Sequence, residues 1–265
     1  MDSKKTIKDF GDQWKIHGQL PSDYWTHDDM FRDYLCGLID PIELTDSVVA
    51  EVGSGSGRIV RMLSRYNPRT IFAIEPSYSV SILERNTRDL KNVTILNTTG
   101  DQFKLRDLDY VVCLGVLHHV PDPISIVKNV YDSLRTGGKF IVWVYGIEGN
   151  EIYYSLYRAL SVVTKRLPNR ILDIVSDLLQ GLTVAYGWIS KNMFRETLPL
   201  SNYIVNVFMP CSRLTRKYIV FDQLNPQYSK YYLREEVFEL LHSGGFTDVK
   251  VEARHGYSHT AVATK

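Results

Sequence analysis

Cysteine is scarce in this chain of 265 residues. There are three, Cys36, Cys113 and Cys211, and they stand far apart. That spacing is neither a disulfide framework nor a zinc pattern, and it suits a reducing, cytoplasmic setting. No apolar run approaches the roughly 18 residues of a bilayer-crossing helix, so no membrane span is expected. The opening stretch, MDSKKTIKDFGDQW, is charged and lacks the apolar stretch of a signal peptide. Neither sign of charge dominates: 31 Lys and Arg face 30 Asp and Glu, a net charge of +1, so the global balance points to no polyanion and DNA is not expected as a partner. No His, Asp or Glu cluster has metal-ligand spacing, and no metal is expected. Internal repeats and low-complexity tracts are also missing.

What is present is an alternation of short β-branched runs and helical stripes. DSVVAEVG (46–53), TIFAIEPS (70–77), VTILNTTGD (93–101), a segment within DYVVCLGVLHHV (109–120) and KFIVWVYG (139–146) read as strands. Between them RIVRMLSRY (58–66), SVSILERNTRDL (79–90) and PISIVKNVYDSLRTGG (123–138) read as helices, the last with a glycine stop. Strands apolar on both faces, alternating with helices, predict a parallel sheet covered on both sides. After residue 147 the rhythm breaks for about eighty residues. A helix at 233–246 and two closing strands, 248–254 and 258–265, then resume it. The sequence therefore divides into an N-terminal helical lid (1–40), a core (41–147 and 229–265) and a helical cap inserted between core elements (148–228).

EVGSGSGR (51–58) concentrates three glycines where the first strand meets the first helix. Glycine takes positive φ and has no Cβ to hold a ligand off the backbone, and a helix N-terminus adds unpaired N–H groups. Such a turn serves a nucleotide-like ligand or simply tight packing. Glu75 ends the second strand about twenty residues further on, where an acid can accept hydrogen bonds from ribose hydroxyls.

EVGSGSG resembles the first motif of class I S-adenosylmethionine-dependent methyltransferases; its glycine spacing does not fit the dehydrogenase fingerprint, which argues against an NAD-linked oxidoreductase. TTGDQF resembles that family's next motif, LGVLHHVPDP (114–123) its segment after the fourth strand, and LRTGGKFIVWVY the helix, glycine pair and strand that follow. The resemblance implies a Rossmann-like α/β three-layer sandwich with a seven-stranded, mostly parallel sheet in the order 3-2-1-4-5-7-6. It implies S-adenosylmethionine as cofactor, held around Gly53, Ser54, Gly55 and Gly57. Glu51 would take the methionine end, Glu75 with Pro76 the ribose, and Asp101 with Gln102 the adenine. Leu114, Gly115 and His119 would line the methyl side, and Phe10, Gln13 and Trp14 would fold over the pocket.

Methyl transfer to a hydroxyl gains from a general base. His119 is the leading candidate, as base or as substrate positioner, with His118 beside it; both could instead cap a helix or fill a packing gap. Asp222, in FDQLNPQY, is a second candidate. That stretch resembles a subset of bacterial methyltransferases linked to cell-surface polysaccharide and other carbohydrate pathways. Asp222 could equally be a loop residue, Tyr145 either faces the acceptor or packs, and His255 is explained by its turn. Residues 151–230 hold ten Lys and Arg against five Asp and Glu, so the cap is basic and suits an anionic acceptor, or is an unevenly charged solvated surface. A stripe of Ile171, Ile174, Val175, Leu178, Leu179 and Leu182 would dock on the sheet, on a second subunit to give a homo-oligomer, or on a membrane surface; Asp173 and Asp177 beside it favour protein. The expectation is methylation of a hydroxyl on a small-molecule or carbohydrate-like acceptor. An RNA methyltransferase and a non-catalytic cofactor-binding subunit are the alternatives. RNA stands second because no separate basic RNA-binding module is visible.

Overall fold

The alternating runs pair into one seven-stranded sheet in a computed structural model that describes residues 3–20, 27–164, 166–225 and 228–265. Two helices, α1 (Ser3–His17) and α2 (Asp28–Leu35), precede the sheet. Then come β1 (Val48–Val52), α3 (Arg58–Ser64), β2 (Thr70–Ile74), α4 (Val80–Thr87), β3 (Val93–Leu96), β4 (Leu108–Leu114), α5 (Pro123–Ser133) and β5 (Leu134–Tyr145). The segment after β5 folds as α6 (Glu151–Thr164), α7 (Asn169–Met193), a short turn α8 (Ser201–Tyr203) running into π-helical backbone, and α9 (Arg213–Leu224). The chain closes with α10 (Arg234–Ser243), β6 (Asp248–Arg254) and β7 (Ser258–Thr264).

Strand order is β3-β2-β1-β4-β5-β7-β6, with β7 antiparallel to both neighbours, the Rossmann-like arrangement expected from the sequence. The direction of winding reverses between β1, paired with β2, and its other neighbour β4. A crevice outside the carboxyl ends of these two strands is the natural ligand position of such a sheet. Each face carries its own apolar layer. Ile59, Met62 and Leu63 of α3 and Met30 and Phe31 of α2 cover one side. Val127 and Val130 of α5 and Val237 and Leu241 of α10 cover the other. Fully buried side chains of this size contribute about 1.5–3 kcal/mol each.

Two elements depart from expectation. Helix α5 ends at Ser133 rather than at the glycine pair, because Leu134 already pairs with Leu108 and the strand runs on through Gly138. A Cβ on Gly138 would stand 2.9 Å from the Leu108 carbonyl oxygen, so that glycine serves close strand approach and not a helix stop. The apolar stripe of α7 does not dock on the sheet either. Its partner is α9, reached through Leu172, Ser176 and Gln180, while Ile171, Ile174, Leu178 and Leu182 are exposed. Asp173 and Asp177, which favoured protein docking, are taken by ion pairs with Lys217 and Arg213, each at 2.6 Å. Among the described residues no helix is long and apolar enough to cross a membrane.

Candidate active site

At the carboxyl ends of β1 and β4 lies a cavity of about 480 Å³. The glycine turn forms its floor. Gly53 and Gly55 adopt φ of +79° and +51°, backbone that a side chain would strain. A Cβ on Gly53 would come within 2.4 Å of Val116, and one on Gly55 within 2.8 Å of the Trp14 ring. Gly57 has a different duty. It starts α3 at φ +88°, and its missing Cβ makes room for Leu83 and Thr87 of α4; it does not line the cavity. Close packing thus describes all three glycines, and the first two also line the cavity.

Glu75 fixes the turn from below. Its Oε2 accepts the Gly55 N–H at 2.7 Å and its Oε1 the Ser77 N–H at 3.0 Å, and the carboxylate lines the cavity. Glu51, on β1, is 2% exposed, and its Oε2 has no hydrogen-bond partner. Burial pushes its carboxyl up to about 8, against the hydrogen bond with Ser54 and the charge of Arg58, which pull it down. Ser54, Pro76, Leu114, Gly115 and His119 also line the space, as does Asp101 at an exposed position; Gln102 is exposed and outside it.

Helix α1 forms one wall. Trp14 lies over the glycine turn, and Phe10 packs edge-on to His119 with ring centroids 4.9 Å apart. Gln13 is fully buried, donates to Asp222 Oδ1 at 2.6 Å, and through its own Oε1 accepts from Asn225. Asp222 itself lines the cavity from α9. Burial raises its carboxyl to about 6, while Gln13, Arg58 and Tyr145 hold it from going higher. Pro226 and Gln227 of the FDQLNPQY stretch lie outside the described residues, as do residues 1, 2 and 21–26 of the expected lid.

The two histidines separate. His119 lines the cavity, with Nδ1 3.0 Å from the Tyr228 carbonyl oxygen and 3.1 Å from Ser229 Oγ. His118 does not line it. It is fully buried behind Tyr145, stacked on that ring at 3.9 Å, and its Nδ1 accepts the Tyr145 N–H. Burial and the neighbouring His119 lower its pKa well below the usual imidazole value, so it is neutral. His255 does not line the cavity. It bridges Asp33 at 2.8 Å and Asn202 at 3.0 Å, on the turn between β6 and β7.

Arg58, Tyr34, Trp143 and Tyr257 line the cavity without a signal in the sequence, whereas Tyr203 and Tyr218 belong to a tyrosine-rich cap whose rings could stack on a ligand or fill a core. Arg58 follows the last glycine, and its guanidinium reaches Tyr34 Oη at 3.5 Å. Tyr34, Trp143, Tyr203, Tyr218 and Tyr257 join Tyr145 to give the cavity an aromatic wall. These come from α2, β5, the α8 turn, α9 and the β6–β7 turn, so only the folded chain brings them together.

Residues 50–140 match the family described as a methyltransferase domain. Over these residues the chain carries a methyltransferase domain, and its seven-stranded sheet has the Rossmann-like order of the class I S-adenosylmethionine-dependent methyltransferases. Among solved structures, magnesium protoporphyrin IX methyltransferase from Synechocystis, with bound SAH, superposes over 100% of both chains at a TM-score of 0.56 and 13% identity. Human N-acetylserotonin methyltransferase superposes over 100% of this chain and 56% of its own at a TM-score of 0.54 and 14% identity.

Among curated relatives, the tRNA U34 carboxymethyltransferase of Nautilia profundicola is 29% identical over 164 residues, 60% of this chain and 51% of that protein. The one from Sulfurovum sp. is 30% identical over 118 residues, 42% of this chain and 39% of that protein. The chain thus spans about half or less of the relatives it matches. These tRNA-modifying relatives overturn two expectations: the small-molecule or carbohydrate-like acceptor, and the placing of RNA second. The carbohydrate resemblance rested on a short stretch around Asp222, whereas the match to the tRNA enzymes runs through 164 residues. The missing basic module was a weak ground for placing RNA second, because phosphate contacts can come from basic residues spread over the domain itself.

The cavity fits S-adenosylmethionine on its own terms. It offers two lining glycines at positive φ, a carboxylate fixed at the end of β2, and a lining Glu51 whose buried Oε2 has no partner.

Proposed function

We propose that the chain is an S-adenosylmethionine-dependent methyltransferase that modifies a nucleoside of tRNA. The observation that carries the acceptor is the series of tRNA U34 carboxymethyltransferases among its relatives, at 27–30% identity. The aromatic wall supports it physically. Enzymes that modify a base take it out of its stack and hold it between aromatic side chains. A tRNA acceptor also places the reaction in the cytoplasm.

S-adenosylmethionine supplies a methyl group on a sulfonium, which is already electrophilic and departs as a neutral thioether. The protein has to align an acceptor atom, exclude water and remove a proton. We assign Glu51, Gly53, Ser54, Gly55, Glu75, Pro76 and Asp101 to the cofactor. Asp222 is assigned as general base. Raised to about 6, it is mostly ionised at neutral pH yet basic enough to take a proton from an acceptor oxygen. Gln13 orients it, and His119, tied through Nδ1, positions the acceptor beside it. His118 supports the Tyr145 ring and takes no part in proton transfer. Residues 1–40 are assigned as a lid, 41–147 with 229–265 as the core, and 148–228 as the cap that completes the acceptor side.

The transferred group is read as methyl, in contrast to the relatives' names. Glu51, Glu75, Asp101, Asp122 and Asp222 line the cavity against the single cation Arg58 among the described lining residues. That balance suits a sulfonium carrying an uncharged methyl, and a carboxymethyl group would bring a further negative charge among these acids. The test is incubation with S-adenosylmethionine labelled in its methyl group and unmodified tRNA, followed by nucleoside separation and mass measurement. Label in a methylated nucleoside supports the reading. Unlabelled tRNA from protein that binds SAH sinks the acceptor, and failure to bind SAH sinks the enzyme class.

A further inference from the structure

Helix α7 is built inside out. The face it turns to the protein carries Ser176, Gln180, Gly187 and Ser190, all buried. Its approach there is close: a Cβ on Gly187 would meet Ile204 and Met209 at 2.7 Å, and Ser190 Oγ lies 2.5 Å from Ser201 Oγ. The face it turns outward carries Ile171, Ile174, Leu178, Leu182, Ile189 and Met193, with Leu178, Leu182 and Met193 66–68% exposed. The spacing repeats after eleven residues, from Ile171 to Leu182 to Met193, which keeps the stripe nearly straight along the 25-residue helix, about 37 Å long. Helix α6 repeats the pattern with Ile152, Leu156, Leu160 and Val163, also exposed. The six side chains on α7 alone present on the order of 600 Å² of apolar surface, at the upper end of what the largest patch on a soluble monomer usually reaches.

The charges around the stripes select what covers them. Arg158, Arg166, Arg170, Lys191 and Arg195 are exposed on the same helices and at their ends, against exposed Glu151 and Glu196. The remaining acids of α7, Asp173 and Asp177, are already paired with Lys217 and Arg213. A second copy laid on this face would bring like charges together. RNA phosphates could use the cations but not the aliphatic stripes. An anionic lipid surface matches both features: acyl chains take the stripes and headgroups meet the arginines. We propose that the outward face of α6 and α7 lies on an anionic membrane surface, with the helices in the plane of the interface.

The full chain is mixed with vesicles of phosphatidylcholine alone, or with about a quarter phosphatidylglycerol, and followed by flotation and by quenching of Trp188 fluorescence with brominated lipid. Binding to the anionic vesicles, weakened by salt, with quenching that Trp188→Phe removes, is the expected result. Leu178→Ser together with Leu182→Ser lowers vesicle affinity at least about tenfold, while SAH binding and thermal stability stay unchanged; since both side chains are exposed, the variant folds. Protein that stays unbound to anionic vesicles at low salt overturns the proposal. So does a double variant that floats like the unaltered chain, or a dimer that buries Leu178 in place of vesicle binding.

Discussion

Glu51 gives the sharpest test of how the cavity recognises its cofactor. The methionine end of S-adenosylmethionine is cationic at its amino group, and the carboxylate assigned to it is protonated over much of the neutral range when the cavity holds no cofactor, since burial pushes the group up to about 8. Binding must therefore ionise Glu51 and release a proton. From the Henderson–Hasselbalch relation the ionised fraction falls from about a half at pH 8 to about one per cent at pH 6, so affinity should fall roughly fiftyfold over that range, about 2.3 kcal/mol. Calorimetry with SAH, repeated in buffers of different ionisation enthalpy, reads both the affinity and the proton. Close to one proton should be released at pH 7, and Glu51→Gln should abolish the release and flatten the pH dependence. An affinity that is level between pH 6 and pH 8 in the unaltered protein, or a Glu51→Gln chain with the same slope, would refute the reasoning.

Asp222→Asn should cut methyl transfer by about a hundred- to ten-thousand-fold with SAH affinity kept. In the unaltered enzyme kcat/KM should rise with pH through about 6 and then level, because the carboxylate must be ionised to accept a proton; rates that ignore the substitution exclude Asp222 as base. Gly53→Ala adds a Cβ 2.4 Å from Val116 at φ +79°, a strain of roughly 1–2 kcal/mol from the backbone alone, and SAH titration should show weakened binding. Asp33→Ala strips the carboxylate from Arg254, whose side chain is 1% exposed. An uncompensated buried charge costs about 3–5 kcal/mol, so calorimetric melting should fall by roughly 6–20 °C, and a melt within a degree or two of the unaltered protein would contradict the pairing.

The core and the glycine turn with its acid were legible because their signals are local. A strand, a glycine turn and an acid one strand over are contiguous in the chain, and β1, Gly53, Gly55 and Glu75 fall where the spacing put them. The acceptor end was not legible. Its aromatic wall is gathered from five separate elements, and Arg58 reads in the sequence as an ordinary helix-start residue. The double histidine shows the limit of motif reading. Adjacent residues on a tight turn point different ways, so His119 reaches the cavity while His118 stacks behind Tyr145. The apolar stripe misled for a different reason. Periodicity reports that one face of a helix differs from the other, and it does not say which face meets the protein. On α7 the small and polar face won because Gly187 and the serines let α7 come close to its neighbours.

The same helix that covers the glycine turn also holds the proposed base. Trp14 sits on the glycine turn one residue from Gln13, and Gln13 donates to Asp222 at 2.6 Å. That bond favours the ionised carboxylate, while the burial that α1 helps to impose opposes it. With α1 seated, Asp222 is oriented and desolvated together, and its pKa of about 6 is the balance of the two. With α1 displaced, both influences vanish, and the carboxyl returns toward its ordinary value and loses its basicity. A base that is strong only under the seated helix is one that works only when the cofactor is covered, so water reaching an open cavity meets no activated acceptor. Gln13→Leu separates the two influences, since it keeps the burial and removes the donor. It should shift the pH dependence of kcat/KM upward from about 6 while leaving the plateau within reach, and a downward shift would mean that Gln13 acts by packing alone.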